Sequence, residues 1–336
     1  MPVVKYLGRV TLATIALAFA RPSAAAESWT FQTLQEQERG RDAFTQGLEI
    51  RDGVLYESSG LYGRSFVRRV DLATGAELQR VALPNEFFAE GLTLFGERLY
   101  VLTWREGTLL VYDASTLEQL ETLSYSGEGW GLTHNGTSLI QSDGTNVIRF
   151  RDPNSFAVQS TITVRDGVTP VTQLNELEWI DGRIWANVWF DRRIAVIDPD
   201  TGSVDAWIDL APITQRWTNV FTGAVLNGIA RDPADGRVWI TGKLWPRLYK
   251  LEVAPFVDPL PRPELKAERT GNAQLSLRFG SFYRAHYHLE SSPSLGEEAW
   301  QALPGSQTGD GFEITVPLEP SDRDSLFWRA RAATRP

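Results

Sequence analysis

Short runs in which apolar and polar residues alternate fill the chain from residue 27 to residue 254, and turns rich in glycine, asparagine and aspartate separate them. Alternation with a period of two is typical of β-strands that bury one face, and Asp-Gly or Asn-Gly turns join such strands into hairpins. One unit recurs, in which Gly-Leu or a close variant precedes a tight turn and an apolar pair. The glycines of these turns are Gly53, Gly96, Gly136, Gly182 and Gly236. The pattern therefore predicts five repeats of an all-β unit.

The spacing of the repeats predicts their arrangement. The turn glycines lie 43, 40, 46 and 54 residues apart, and three or four strands in about 40 to 50 residues are typical of one propeller blade. A β-solenoid or stacked sandwiches would also repeat, but the period and the number of units favour a five-bladed β-propeller over residues 27–254. The fifth repeat ends near Glu252 without an outer strand. Residues 29–34 alternate like a strand, and we expect them to close the last blade.

The N-terminal residues have a different composition. Lys5 and Arg9 precede a mainly apolar run from Val10 to Ala20, and small residues follow at positions 23–26. This order is typical of a cleaved export signal, which we assign to residues 1–26. The apolar run is too short to cross a bilayer as a helix. We therefore expect a periplasmic or secreted protein with no membrane span in the mature chain.

A second change of composition follows the repeats. Residues 255–263 contain four prolines, which predicts a stiff linker. Residues 264–336 alternate again and predict a small β-sandwich-like module, similar to the fibronectin or immunoglobulin-like modules at the C-termini of secreted bacterial proteins.

Composition excludes several classes of function. The net charge is −9, and a nucleic-acid-binding protein needs a basic surface to neutralise phosphates. The chain has no cysteine, which excludes disulfides, thiolate metal sites and a cysteine nucleophile. Its three histidines are too few for a histidine-rich metal site.

The starts of the repeats contain the best candidates for chemistry, because in a propeller these segments line the central axis. Glu90 follows two phenylalanines, and apolar surroundings would raise its pKa toward neutrality, as a proton shuttle requires. The alternative is a solvated carboxylate at the rim. Lys243 is one of four lysines and could equally lie on the surface. Three tryptophans lie at strand ends beside glycine or polar residues: Trp104, Trp130 and Trp189. Their positions are as typical of the walls of a ligand pocket as of core packing.

Motifs in all five repeats match those of one known family, in the same order. They are Phe44-Thr45-Gln46-Gly47-Leu48, Glu57 to Ser65, Phe88-Ala89-Glu90-Gly91-Leu92-Thr93, Gly129-Trp130-Gly131-Leu132, Leu174-Asn175-Glu176-Leu177-Glu178, Trp185-Ala186-Asn187-Val188-Trp189, Leu226-Asn227-Gly228-Ile229-Ala230 and Thr241-Gly242-Lys243-Leu244-Trp245-Pro246. Over about residues 40–252 the chain thus resembles the plant and bacterial type of glutaminyl cyclase (glutaminyl-peptide cyclotransferase), a family of five-bladed propellers. The C-terminal module lies outside the resemblance.

The resemblance implies an enzyme that cyclises the N-terminal glutamine of peptides or proteins to pyroglutamate and releases ammonia, with no metal or other cofactor in catalysis. The family's essential glutamate falls on Glu90, and Lys243 and Asn175 become candidate hydrogen-bond donors to the oxygen of the reaction intermediate. Its substrate-binding residues fall on Phe44, Gln46, Phe88, Trp104, Trp130 and Trp189. Ala89 replaces a usual glycine and Phe66 a usual small residue, and neither change removes a functional group.

Other functions stay open at this point. A non-catalytic exported propeller could bind peptides or glycans with the same pocket. A metal-dependent lactonase or phosphotriesterase propeller could use Glu178, Asn175, Asn227 and Asp143 as ligands, although such propellers usually have six blades. A structural calcium ion in the channel is also left open, and we expect the protein to be a monomer.

Overall fold

The structure is a computed structural model that describes residues 25–217, 223–270, 274–292, 300–318 and 327–334. The predicted signal peptide falls almost entirely outside these residues. Strands dominate the described chain, and the helix α1 (Ala211–Thr214) is a single turn. The all-β prediction is therefore confirmed. No helix in the described ranges is long and apolar enough to cross a membrane.

After a first strand, β1 (Glu27–Glu38), three four-stranded antiparallel sheets follow one another along the chain. The first contains β2 (Thr45–Arg51), β3 (Val54–Ser59), β4 (Phe66–Asp71) and β5 (Glu77–Ala82). The second contains β6 (Ala89–Phe95), β7 (Arg98–Thr103), β8 (Thr108–Asp113) and β9 (Gln119–Ser124). The third contains β10 (Leu132–His134), β11 (Leu139–Gln141), β12 (Val147–Arg151) and β13 (Val158–Thr163). At the first hairpin, Asp52 and Gly53 both have positive φ, 52° and 73°, as a type I′ turn requires.

A short hairpin, β14 (Arg165–Asp166) and β15 (Thr169–Pro170), precedes an eight-stranded sheet. The further strands of that sheet are β16 (Leu174–Ile180), β17 (Arg183–Val188), β18 (Arg193–Ile197), β19 (Val204–Asp209), β20 (Leu226–Arg231), β21 (Val238–Gly242) and β22 (Arg247–Pro255). Two groups, β16 to β19 and β20 to β22, share the strand β1. This strand runs antiparallel to β22 from Trp29↔Pro255 to Glu38↔Arg247, and three of its residues pair in parallel with β19. The strand expected at residues 29–34 is thus longer at both ends.

The first strands of the five repeats contact one another in a closed circle. Strand β2 contacts β6, β6 contacts β10, β10 contacts β16, β16 contacts β20, and β20 contacts β2. Clusters of buried apolar side chains follow the same circle, each lying between two successive strand groups. The circle is completed by a cluster in which Leu48 and Leu55 of the first group pack with Trp239 and Leu248 of the last.

Several of these first strands have a glycine near their beginning, because the backbone of the neighbouring strand comes very close there. A Cβ atom on Gly91 would lie 2.4 Å from the amide nitrogen of Leu132, and one on Gly131 would lie 1.9 Å from the carbonyl oxygen of Asn175. Both distances are far below van der Waals contact. The recurring Gly-Leu of the sequence therefore marks the places where the first strands meet.

The C-terminal residues form two three-stranded sheets around an apolar core. Their strands are β23 (Lys266–Thr270), β24 (Gln274–Gly280), β25 (His286–Ser292), β26 (Gln301–Thr308), β27 (Glu313–Pro317) and β28 (Phe327–Ala333). Strand β24 pairs with β23 and β27, and β25 pairs with β26 and β28. This part of the chain contacts β1, since the amide of Tyr283 donates to the carbonyl of Phe31 at 2.8 Å and the amide of Thr33 donates to the carbonyl of Gly311 at 2.6 Å. Phe31 has no exposed surface.

Candidate active site

Four of the five first strands contain a β-bulge near the end at which they begin. The register shifts around Gln46 in β2, Glu90 in β6, Asn175 in β16 and Asn227 in β20. A bulge adds a residue to one strand and changes the direction of its side chain, and bulges are frequent next to active sites. A β-bulge therefore positions a polar side chain in each of four repeats.

Glu90 lies at the end of a buried hydrogen-bonded chain. Its side chain is 5% exposed, and its Oε1 accepts a hydrogen bond from Nε2 of Gln46 at 3.1 Å. Nδ2 of Asn227 donates to Oε1 of Gln46 at 3.2 Å and to the carbonyl of Thr45 at 2.9 Å. Because its oxygen already accepts from Asn227, Gln46 presents its NH₂ group to the Glu90 carboxylate.

Glu90 and Lys243 are a buried acid and base that influence each other. Burial raises the pKa of Glu90 well above its ordinary value, the charge of Lys243 opposes this, and the charges of Glu128 and Glu106 add to it. Burial lowers the pKa of Lys243 to about 8, against the attraction of Glu90. Both shifts bring proton exchange toward neutral pH, the range in which a general acid-base group works best.

A connected group of aromatic side chains begins beside Lys243. The ring of Phe88 lies with its centroid 6.3 Å from that of Phe44, 5.4 Å from that of Tyr62 and 5.5 Å from that of Trp104. The ammonium of Lys243 lies 4.8 Å from the centroid of Phe44. The first group of predicted site residues, Phe44, Gln46, Phe88, Glu90, Trp104 and Lys243, therefore forms one connected set.

Glu128 connects a second group of aromatic residues, Trp130 and Trp189, to Trp104. One oxygen of this carboxylate accepts hydrogen bonds from Nε1 of Trp104 at 2.8 Å and from Nε1 of Trp130 at 2.9 Å. The ring of Trp130 meets that of Trp189 edge to face at 5.5 Å. Arg105 pairs with the other oxygen of Glu128 at 2.9 Å. Sequence reasoning did not select Glu128, and its place two residues before Trp130 was the available signal.

Asn175 is buried in the bulge of β16, and its backbone oxygen accepts a hydrogen bond from Oγ of Ser142 at 2.6 Å. Its Oδ1 atom has no hydrogen-bond partner in the part of the chain that the structure describes. The prediction that Asn175 donates a hydrogen bond through its side-chain amide stays a prediction.

Three further carboxylates lie between the first strands: Glu176 and Glu178 are buried, and Glu49 is partly buried. Each accepts a backbone N–H from a neighbouring first strand at 2.8 or 2.9 Å, from β6 for Glu49 and from β20 for the other two. Burial raises the pKa of all three, that of Glu49 to about 7. They hold adjacent strands together. Among the described residues, no group of three or more histidine, aspartate or glutamate side chains could hold a metal ion.

Asp143, one of the four ligands considered for a metal-dependent propeller, has other partners. Its carboxylate pairs with Arg149 at 2.6 Å and accepts the hydroxyl of Thr145 at 2.5 Å. Glu178 is bonded to the backbone of β20, as described above. Two members of that hypothetical set, Asp143 and Glu178, thus have hydrogen-bond partners within the chain.

The chain is similar to known proteins of one family. A family model described as glutamine cyclotransferase matches residues 7–253. The glutaminyl-peptide cyclotransferase of Arabidopsis thaliana is 42% identical over 216 residues, which cover 63% of this chain and 68% of that protein. The crystal structure of Myxococcus xanthus glutaminyl cyclase is similar with a TM-score of 0.64 and 38% identity, over 68% of this chain and 99% of that one. Because the family model spans the whole repeat region, the chain belongs to the glutamine cyclotransferase family.

Proposed function

We propose that this protein is a glutaminyl-peptide cyclotransferase, which converts the N-terminal glutamine of peptides or proteins to pyroglutamate and releases ammonia. The observation that carries the proposal is the buried Glu90 carboxylate, hydrogen-bonded by Gln46 and close enough to Lys243 for their charges to interact. Such a group suits a reaction that needs a proton removed from one nitrogen and delivered to another. The activity named for the Arabidopsis relative is the same.

The proposal includes the architecture. The closed circle of first strands and the apolar clusters between successive strand groups support a five-bladed β-propeller over residues 27–254, with β1 completing the fifth blade. A linker over residues 255–263 would then lead to a small sandwich-like module over residues 264–336. We further propose that residues 1–26 direct export to the periplasm or the medium, and that the mature protein acts as a monomer.

The reaction is an intramolecular acyl transfer. The α-amine nitrogen of the substrate glutamine forms a bond to the carbon of its own side-chain amide, and the bond from that carbon to the amide nitrogen breaks, so that ammonia leaves. Because nucleophile and electrophile belong to one residue, much of the rate acceleration comes from holding them at about 3 to 3.5 Å in a reactive geometry. Walls formed by Phe44, Phe88 and the tryptophans would enclose the two methylene groups and exclude water.

Glu90 would move the proton. As a carboxylate it accepts the proton that the amine loses during attack, and as a carboxylic acid it returns this proton to the departing nitrogen, which ends the cycle in the starting state. The raised pKa suits both steps. Lys243 would stabilise negative charge on the amide oxygen in the tetrahedral intermediate, and the side-chain amide of Asn175 would donate a hydrogen bond to the same oxygen. In this scheme catalysis uses no metal or other cofactor, and a structural calcium ion is a separate question.

Ammonia release from a short glutamine-initiated peptide in the presence of EDTA tests the proposal. We expect Glu90→Gln to lower kcat by about 10² to 10⁴, the usual range for a lost acid-base group. Glu49→Gln is the control, because the partly buried Glu49 also has a raised pKa but bonds to the backbone of β6 and, within the described ranges, forms no hydrogen bond or ion pair with a predicted site residue. Near-normal turnover by Glu90→Gln would exclude the mechanism. Folded wild-type protein that binds the peptide and leaves it intact would instead favour a non-catalytic binding propeller.

A further inference from the structure

An exposed aromatic side chain extends the second group of aromatic residues, Trp130 and Trp189, toward solvent. Phe190 follows Trp189 in sequence, is 71% exposed, and has its ring centroid 4.4 Å from that of Trp189. Trp189 meets the half-buried Trp130 at 5.5 Å. The three rings form a continuous row from the half-buried Trp130 to the exposed Phe190, which we name the aromatic shelf (Trp130, Trp189 and Phe190).

The backbone of Phe190 is in a conformation that disfavours a bulky residue. Its φ is +65°, in the left-handed region that glycine and asparagine adopt more easily. The turn is held on both sides, since the amide of Trp189 donates to the carbonyl of Gln173 and the amide of Asp191 donates to that of Val188, both at 2.8 Å. An exposed phenylalanine at a strained position destabilises the free protein, and such positions are frequent where a ligand binds.

The charges beside Phe190 are paired within the chain. Arg193 binds Asp191 at 2.7 Å, and Arg192 binds Asp209 at 3.0 Å. Charged side chains of a ligand would have to compete with these pairs. The surface that Phe190 presents therefore favours a neutral, apolar group.

We propose that the aromatic shelf binds the side chain of the residue after the N-terminal glutamine, and that an aromatic or large apolar residue is preferred there. The inference rests on the proposed function. If the glutamine lies beside Glu90, the rest of the peptide has to extend toward solvent, where Trp189 and Phe190, which are 36% and 71% exposed, offer it an aromatic surface. An aromatic contact of this kind corresponds to a gain of about 2-fold to 10-fold in kcat/KM.

Two peptides that differ only at the second position, Gln-Phe-Ala-amide and Gln-Gly-Ala-amide, test the inference. We measure kcat/KM for ammonia release by the wild type, and dissociation constants by tryptophan fluorescence with the slow variant Glu90→Gln. The wild type should prefer the phenylalanine peptide by about 2-fold to 10-fold. Phe190→Asn, which keeps a residue suited to positive φ but removes the ring, should abolish this preference. Phe327→Asn removes an exposed phenylalanine from β28 and should leave it unchanged.

Equal kcat/KM values of the wild type for the two peptides would overturn the inference, even if Phe190→Asn did not fold. An undiminished preference in folded Phe190→Asn would overturn it as well. A wild type that releases no ammonia from either peptide would refute the proposed function but not the aromatic shelf. The dissociation constants of the two peptides would then test the shelf. Tighter binding of the phenylalanine peptide that depends on Phe190 supports the shelf, and equal binding overturns it.

Discussion

Replacing Glu57 with glutamine is expected to destabilise the protein where its first and last repeats meet. Glu57 lies on β3 without exposed surface, and its two oxygens bind Arg39 at 2.5 Å and Arg68 at 2.6 Å. Arg39 also donates to Thr45 of the first repeat and to Thr241 of the fifth, each at 3.2 Å. Glu57→Gln would leave two buried guanidinium groups beside a neutral amide. Loss of one partner of a buried ion pair typically destabilises a protein by about 3 to 5 kcal/mol.

Part of this effect should depend on pH. Burial alone would raise the pKa of Glu57, but Arg39 and Arg68 outweigh it and lower this pKa from 4.5 to about 2. A lowered pKa stabilises the folded protein at pH values above the unfolded pKa, and the contribution is lost as the pH falls toward the folded pKa. The shift corresponds to about 3 kcal/mol at pH 7, of which about 2 kcal/mol is lost at pH 3.

Urea unfolding followed by tryptophan fluorescence at both pH values measures the effect. The difference in free energy of unfolding between wild type and Glu57→Gln cancels the other carboxylates, and it should be about 2 kcal/mol smaller at pH 3 than at pH 7. Glu121→Gln is the control, because its pair with Arg98 is exposed and contributes less than about 1 kcal/mol. A difference that does not change with pH, or a variant more stable than the wild type, would refute the reasoning.

Two other changes have defined outcomes. Lys243→Met removes the charge that lowers the pKa of Glu90, so the acid limb of the pH profile of kcat/KM should move to higher pH, and a limb at unchanged pH would argue against this pairing. Truncation after Pro263 removes the contacts of Tyr283 and Gly311 with β1 and uncovers Phe31. It should lower the free energy of unfolding by up to about 3 kcal/mol in a urea titration. The kcat/KM of the folded truncated protein should not change, because every predicted site residue lies in the repeat region.

The strands were predictable because their signals are local. The Asp52-Gly53 turn specifies its hairpin through positive φ, and Gly91 and Gly131 mark the close approach of first strands. The family motifs pointed to Glu90 and Gln46, which the structure brings within hydrogen-bond distance.

The geometry of the site was not predictable in the same way. Alternation with a period of two assumes one residue for each step of the ladder, and the bulges at Gln46, Glu90 and Asn175 break that assumption without a sequence signal of their own. The role of Glu128 depends on two tryptophans from different loops meeting at one oxygen.

The position of β1 between β19 and β22 has a consequence for how the chain folds. Glu38 pairs with Arg247 roughly 210 residues away, and closing a loop of that length costs about 3 kcal/mol more entropy than closing a hairpin. Pairing over such a distance is slow, so capture of the first strand is expected to be the last step of folding. Until then a twelve-residue strand has two unpaired edges. At high protein concentration this strand is the segment most exposed to exchange between two copies of the chain.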